Sequence, residues 1–215
     1  MVNITYHGVT FVVARYKENV EWVRPLVRIF PGTKCFVYNK GTPIDLRDND
    51  ITVRQLPNVG RESHTYLTHL LTTAKDADNR VCCVFLQGHP FDHVGTFTQL
   101  VRKIRQAILR IAVLGSEFEN VGTRLIRIRD FNTTFHPGLK PELIATFHDL
   151  FGDKAQRPHE LIFSAGAMFA VSGTVLKPSA FYVKILDWVD KERDPRRGYC
   201  LERLWSCIFS SYIYC

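Results

Sequence analysis

Apolar positions along the chain alternate between short continuous runs and longer stretches with a hydrophobic residue every three or four places. Thr10–Ala14 is a β-rich run that ends at the polar cluster Arg15-Tyr16-Lys17-Glu18. Val20, Val23, Leu26 and Val27 follow at helical spacing. Lys34–Tyr38 predicts a second strand, stopped by Asn39-Lys40-Gly41. Ile51–Leu56 predicts a third, with Pro57-Asn58-Val59-Gly60 as its turn. From Arg61 to Ala74 the stripe Tyr66, Leu67, Leu70, Leu71, Ala74 predicts a helix. Arg80–Gln87 is the strongest strand signal, apolar at consecutive positions as in a strand covered on both faces, and Cys82 and Cys83 within it should point to opposite sides.

It breaks at Gly88-His89-Pro90-Phe91-Asp92-His93, and Gln99 to Leu114 reads as a helix. Leu125–Arg129 alternates like a strand with one solvated face, before a Pro/Gly-punctuated loop through Pro141. The apolar segment Leu161 to Val171 is interrupted by Ser164-Ala165-Gly166-Ala167. Two helices follow, one over roughly Ser179 to Glu192 and one from near Tyr199, whose apolar face is Leu201, Leu204, Trp205, Ile208 and Phe209.

Strands alternating with helices predict an α/β protein with a mainly parallel, mixed central sheet flanked by helices. No linker or internal repeat divides it, so residues 1–215 read as a single domain. The apolar stretch from Ile208 to Cys215 predicts that this domain is the N-terminal part of a longer polypeptide.

A hydrophobic fraction of 46% against 23% charged residues excludes a disordered chain. No apolar stretch approaches the ~20 residues that span a bilayer, so no membrane span is expected. The six cysteines show no metal-binding spacing. Reduced, buried thiols in a soluble, cytoplasmic protein are the simplest account. The net charge of +7 favours an anionic partner: a phosphate-bearing ligand, nucleic acid or a membrane surface. The basic residues are densest at Arg102, Lys103, Arg105 and Arg110, then at Arg124, Arg127 and Arg129. With no RNP-like aromatic motif, zinc-finger spacing or basic tail, no nucleic-acid partner is expected. The absence of Gly-x-Gly-x-x-Gly, a Walker loop and a Gly-x-Ser-x-Gly elbow argues against dinucleotide oxidoreductases, P-loop NTPases and serine hydrolases.

Ligands of open α/β sheets bind beyond the carboxyl ends of the strands. That rule selects Arg15 and Tyr16 after the first strand, and Asn39 and Lys40 after the second. It adds Asn58 to His64 after the third, Gln87, His89, Asp92 and His93 after the central one, and Ser164 to Gly166. A helix start at Gly60-Arg61 offers free N–H groups and a positive dipole end to an anion, with Arg61, His64 and Thr68 on one face; an ordinary capped helix is the alternative. His89, Asp92 and His93 within five residues are metal ligands or general bases by chemistry, or polar decoration of a Gly-Pro turn. Glu202, expected in the first turn of the last helix, could serve as base or sugar-hydroxyl acceptor, or simply pair with Arg203. Asp76-Ala77-Asp78 has the Asp-x-Asp form, but its place between a helix end and a strand start favours a solvated loop on the opposite edge.

The order of these segments resembles the GT-A-type glycosyltransferases. Phe11-Val12-Val13-Ala14-Arg15-Tyr16 resembles their first strand with its nucleotide-binding end. Asn58-Val59-Gly60-Arg61 resembles their helix start, and Val84-Phe85-Leu86-Gln87-Gly88-His89 the strand that usually ends in Asp-x-Asp. Gly166-Ala167-Met168-Phe169-Ala170-Val171 resembles their Gly-Ala segment, and Leu201-Glu202-Arg203-Leu204 their acidic helix. More narrowly, Leu-Pro-Asn-Val-Gly-Arg-Glu and Phe-Leu-Gln-Gly-x-Pro-Phe-Asp-His resemble a group of capsid-glycan transferase domains from large chlorella-type viruses, which would place the protein in host cytoplasm.

The resemblance implies a GT-A-like fold and a UDP-sugar or other nucleoside diphosphate sugar as donor. It also implies a manganese or magnesium ion and a glycan or glycoprotein acceptor. Under it, Arg15, Tyr16, Asn39, Lys40, Asn58, Arg61, His64, Gln87 and Gly166 would hold the nucleotide sugar, and Glu202 or Asp92 would carry the chemistry. Gln87-Gly88-His89 stands where the family has Asp-x-Asp. The ion would then fall to His89, Asp92 and His93, or to Asp76 and Asp78 if the strand runs the other way. Two rival functions remain open: a noncatalytic carbohydrate- or phosphate-binding module on a degenerate transferase fold, and a metal-dependent phosphoesterase.

Overall fold

β-branched and aromatic residues at consecutive positions cannot bury both faces of a strand unless layers cover each side, and that requirement sets the architecture. The computed structural model describes residues 6–73, 81–132, 136, 138–175, 179–190 and 195–209. Its first half is β1 (Val9–Arg15), α1 (Val23–Ile29), β2 (Lys34–Asn39), β3 (Ile51–Gln55), α2 (Arg61–Thr72), β4 (Cys82–Gln87), the single turn α3 (Phe91–Val94) and α4 (Phe97–Leu114). The second is β5 (Phe118–Asn120), β6 (Leu125–Arg129), α5 (Lys140–Phe151), β7 (Glu160–Ser164), β8 (Phe169–Ser172), a short 3₁₀ turn, α6 (Ser179–Asp190) and α7 (Pro195–Ile208).

A six-stranded sheet runs in the order β3-β2-β1-β4-β8-β5, and β6 and β7 form a separate antiparallel pair. The β3-β2, β2-β1 and β1-β4 pairings are parallel, whereas β8 is antiparallel to both β4 and β5. This is the expected α/β architecture, a mostly parallel mixed sheet flanked by helices.

Alternation along β1 and β4 sorts the core into two layers. Phe11, Val13, Cys82 and Val84 pack under α1 and α4, while Val12, Cys83 and Phe85 pack under α2, α6 and α7. Cys82 and Cys83 do point to opposite faces. On the second side Tyr66, Phe85, Phe169, Trp205 and Phe209 form one aromatic cluster, with neighbouring ring centroids 4.9–6.1 Å apart. Tyr66 from α2 and Trp205 from α7 thereby fasten the two helices that carry the site.

β5 is an edge strand that the sequence reading does not predict, and three further features differ from the expectation. α5 carries Leu143, Phe147 and Leu150 on its buried face, yet Pro141 lies in its first turn, where proline is tolerated; read as loop punctuation, that proline conceals the helix. The apolar segment from Leu161 to Val171 is two strands of different sheets, β7 and β8, reversed through Gly166 (φ +87°) and Ala167 (φ +48°). Because β8 is antiparallel to β4, with Phe169 opposite Phe85, this reversal lies at the carboxyl edge of the parallel strands. The last helix starts at Pro195, so Glu202 sits two turns inside it and owes nothing to the helix dipole.

Candidate functional site

β1, β2, β3 and β4 end in near register at the carboxyl edge of the sheet, and side chains from the segments that follow enclose two adjoining hollows. The larger, about 400 Å³, lies over the ends of β1, β2 and β4 and is lined by Arg15, Tyr16, Glu18, Lys40, Asn58, Gln87, His89 and Asp92, with Arg61 and Glu62 on its far wall. The smaller, about 250 Å³, lies between α2, α7 and the β6-β7 pair and includes His93, Arg124, His136, Phe163, Gly166, Tyr199, Glu202 and Arg203. Arg61, Glu62 and Gln87 line both. They form the wall that the two hollows share.

The basic residues of the larger hollow divide into frame and gripping group. Arg15 is buried and donates to the carbonyls of Glu18 (2.9 Å), Tyr16 (3.1 Å) and Thr42 (3.1 Å) and to Asn39 Oδ1 (2.5 Å). Lys40 donates its ammonium protons to the carbonyl oxygens of Val59 (2.6 Å) and Arg61. Both cations brace backbone, Arg15 the loops after β1 and β2, Lys40 the turn that opens α2. Asn39 is fully buried and spends its amide on Thr42, Gln55 and Gly41, besides accepting from Arg15. It lines neither hollow, so a direct nucleoside contact from Asn39 is replaced by a framework role.

Arg61 is the gripping group. Its backbone has φ +50°, directly after Gly60 at φ +59°. A non-glycine residue in that region costs about 1–2 kcal/mol, and strain of this kind collects where a side chain must be aimed. Its stem packs against Gly198, its guanidinium stacks over the Tyr199 ring at 5.1 Å, and its Nε lies 3.5 Å from Glu62. The side chain remains about half exposed, at 48%. Of the residues expected to share its face, Thr68 lines neither hollow. His64 is buried within α2 and lines neither hollow.

His89 and Asp92 stay together on the rim of the larger hollow, Nε2 to Oδ1 3.5 Å, both well exposed. His93 parts from them. One residue further round the turn of α3, it is directed into the smaller hollow, where its ring lies against Gly166. A three-ligand set of His89, Asp92 and His93 is therefore not assembled, and no group of three or more His, Cys, Asp or Glu side chains with metal-binding geometry occurs among the described residues. Asp76 and Asp78 lie outside the described residues.

In the smaller hollow Glu202 accepts a hydrogen bond from the Gly166 N–H at 2.7 Å, with Arg203 Nη1 at 3.4 Å. Its carboxyl is held above the ordinary carboxylate range, chiefly by burial and further by the charge of Glu62; the Gly166 N–H, Arg203 and Arg61 pull the other way. A methyl at Gly166 would run into the His93 ring, with Nε2 2.9 Å away, so only glycine permits both the backbone reversal and this contact. Arg203 is nearly buried, its guanidinium over the Phe163 ring at 4.9 Å and donating to the Tyr199 carbonyl. His136 stacks on Tyr199 at 4.3 Å, and burial next to Arg203 lowers its pKa.

Glu62 and Glu18 line the hollows, although the sequence reading names them only inside larger polar segments and gives neither a role. Glu62 sits beside the anticipated Arg61 in the first turn of α2, where the dipole favours a carboxylate, but its side chain is only 12% exposed. Glu18 accepts from the N–H groups of Tyr16 (2.6 Å) and Lys17 (3.1 Å) and packs on Gly88, where a Cβ would come within 2.7 Å of its carboxylate. The polar cluster after β1 is a signal for Glu18. Nothing in the linear pattern singles out Tyr199 or His136, since each depends on a crossing of distant segments. The chain matches no protein-family model, and no curated protein is detectably similar to it in sequence.

Proposed function

We propose that the protein transfers a sugar from a nucleoside diphosphate sugar, with UDP-sugar as the preferred class, to a hydroxyl of a glycan or glycoprotein. One observation carries this reading: two adjoining hollows at the carboxyl edge of the sheet, with Arg61 in their shared wall. One is framed by strand ends and a helix start suited to a nucleotide diphosphate. The other contains a largely buried carboxylate, Glu202, whose pKa burial raises. The order of elements, with the Gly166-Ala167 reversal and the Glu202 helix following the central strand, supports a GT-A-like assignment within the α/β class.

In this mechanism Tyr16, whose ring is exposed at the rim, stacks on the nucleobase, and Asn58 and Gln87 offer hydrogen bonds to the nucleotide sugar. Arg61 faces the diphosphate, where negative charge grows as the glycosidic bond to the leaving phosphate breaks, and its aim is already fixed by the Gly60-Arg61 backbone. Glu202 accepts the proton of the attacking acceptor hydroxyl. Burial raises its proton affinity towards the working range of a base, and the Gly166 N–H orients the carboxylate. Asp92, with His89 beside it, would hold a magnesium or manganese ion if one binds with the donor, since such ions need only one or two protein carboxylates when substrate phosphates are present. That ion would add charge neutralisation at the diphosphate.

Titration calorimetry with UDP, with and without manganese, tests the proposal. Binding strengthened by the metal, and weakened in Arg61→Ala, is expected; UDP binding that ignores the metal would remove the metal-dependent reading. The two-residue ligand set favours a second reading, a noncatalytic sugar- or phosphate-binding module. A turnover assay separates the two, because a module binds donor without releasing UDP. Separation of His93 from His89 and Asp92 leaves the phosphoesterase reading without its ligand cluster.

A further inference from the structure

The densest basic stretch of the chain takes no part in the site just described. It lies on α4, which packs Leu100, Val101, Ile104, Ala107, Ile108 and Ile111 against the sheet and turns its other face outward. At 18 residues α4 is the longest helix described, about 27 Å from end to end. A capping box at Thr96 and Gln99 closes its start, and Gly115 in the left-handed region closes its end. It is a rigid rod with both ends secured.

The outward face is graded. Its first half carries Arg102, Lys103 and Arg105; its last turns carry Arg110 and then Leu109, Val113 and Leu114, exposed by 59%, 72% and 75%. Exposed aliphatic side chains of this size are normally scattered singly; three within six residues at a helix end form a patch. Arg102 and Lys103 make no ion pair among the described residues, Arg105 lies over the Phe30 ring, and Arg110 is near Glu119 at 3.5 Å. Cations around an apolar tip, with stems long enough to let the tip sink while their heads stay in the headgroup layer, match an anionic lipid surface in both charge and polarity. The match fits a lipid surface better than a second copy of the chain, because pairing two such faces would set their arginines and lysines against one another.

We propose that α4 docks the protein peripherally on an anionic phospholipid bilayer, with Leu109, Val113 and Leu114 entering the interface and Arg102, Lys103, Arg105 and Arg110 contacting headgroup phosphates. No spanning segment is required, and no helix among the described residues is long and apolar enough to cross a membrane. α4 follows the central strand and returns antiparallel to it, so the apolar tip lies towards the amino edge of the parallel strands. The candidate cleft opens at the carboxyl edge and stays free while the protein is docked.

Vesicle co-sedimentation tests this without donor or acceptor, so its result is independent of any sugar-transfer activity. The probes are liposomes of phosphatidylcholine alone and of phosphatidylcholine with about one third phosphatidylserine, at low and at physiological salt. Wild type should pellet with the anionic vesicles and not with the neutral ones. Arg102→Gln/Lys103→Gln should weaken binding about thirtyfold, near fivefold per charge. Leu109→Ser/Val113→Ser/Leu114→Ser should weaken it at least tenfold with an unchanged circular dichroism spectrum. Equal pelleting with neutral and anionic vesicles overturns the proposal, as does anionic binding that survives both variants. Absence of vesicle binding together with a dimer that the serine variant abolishes overturns it in favour of self-association. The wild-type comparison decides the matter even where a variant fails to fold.

Discussion

Replacing Gly166 by alanine tests whether the turn between β7 and β8 is held where the site needs it. Gly166 has φ +87°, and the added methyl would meet the His93 imidazole. Holding alanine in the left-handed region costs about 1–2 kcal/mol. The collision adds to this; overpacking costs about 1–3 kcal/mol, and the lower end applies because the half-buried His93 ring can swing aside. The expected loss is therefore about 2–3 kcal/mol, read as the shift in a urea unfolding midpoint at constant slope. Gly138→Ala is the control: its Cβ would meet nothing within 4 Å and its φ is not in the left-handed region, so a change within about 0.5 kcal/mol is expected. A loss below about 1 kcal/mol at Gly166 would refute the reasoning, since the turn would then be free to relax. The same substitution disturbs the N–H that stabilises the ionised Glu202, so the Glu202 carboxyl should become still harder to ionise.

Three further outcomes are expected. Since Glu202 has a raised native pKa, the folded state retains a proton that the unfolded chain has already released; stability falls as pH rises from the unfolded value through the folded one. Glu202→Gln should flatten that slope, be more stable than wild type at neutral pH and lose sugar transfer; urea midpoints across about pH 4 to 8 that parallel wild type would sink the assignment. Asn39→Ala leaves the buried Arg15 guanidinium without its closest acceptor and should cost about 2 kcal/mol or more, while changing UDP affinity only through stability; thermal unfolding alongside calorimetry separates the two effects. Arg61→Lys keeps the charge but gives up the planar stack on Tyr199, so UDP affinity should fall between wild type and Arg61→Ala. Equal affinities for all three proteins would remove Arg61 from the site.

Linear order made most of the scaffold legible. β1, β2 and β4 are apolar runs and β3 a short β-branched one, the polar clusters that follow mark their carboxyl ends, and the edge rule then places Arg15, Tyr16, Lys40, Asn58, Arg61, Gln87, His89 and Asp92 around one hollow. Local periodicity suffices there, because burial on both faces demands continuous apolar residues and parallel neighbours demand a crossover, helical between β1 and β2 and between β3 and β4. It could not reveal that β7 and β8 belong to different sheets, nor that Arg15, Asn39 and Lys40 are committed to bracing backbone. Those outcomes depend on which distant groups come within hydrogen-bonding distance.

The tertiary structure alone decided the direction of each site residue. Arg61 aims into the cleft through a positive φ that no composition encodes, His93 leaves His89 and Asp92 through one step of helical rotation, and Glu202 meets Gly166 across 36 positions of sequence. Apolar pattern acts over a few residues and is written in them. Charge, hydrogen bonding and pKa act through space, so their partners emerge only when the strands and helices have packed.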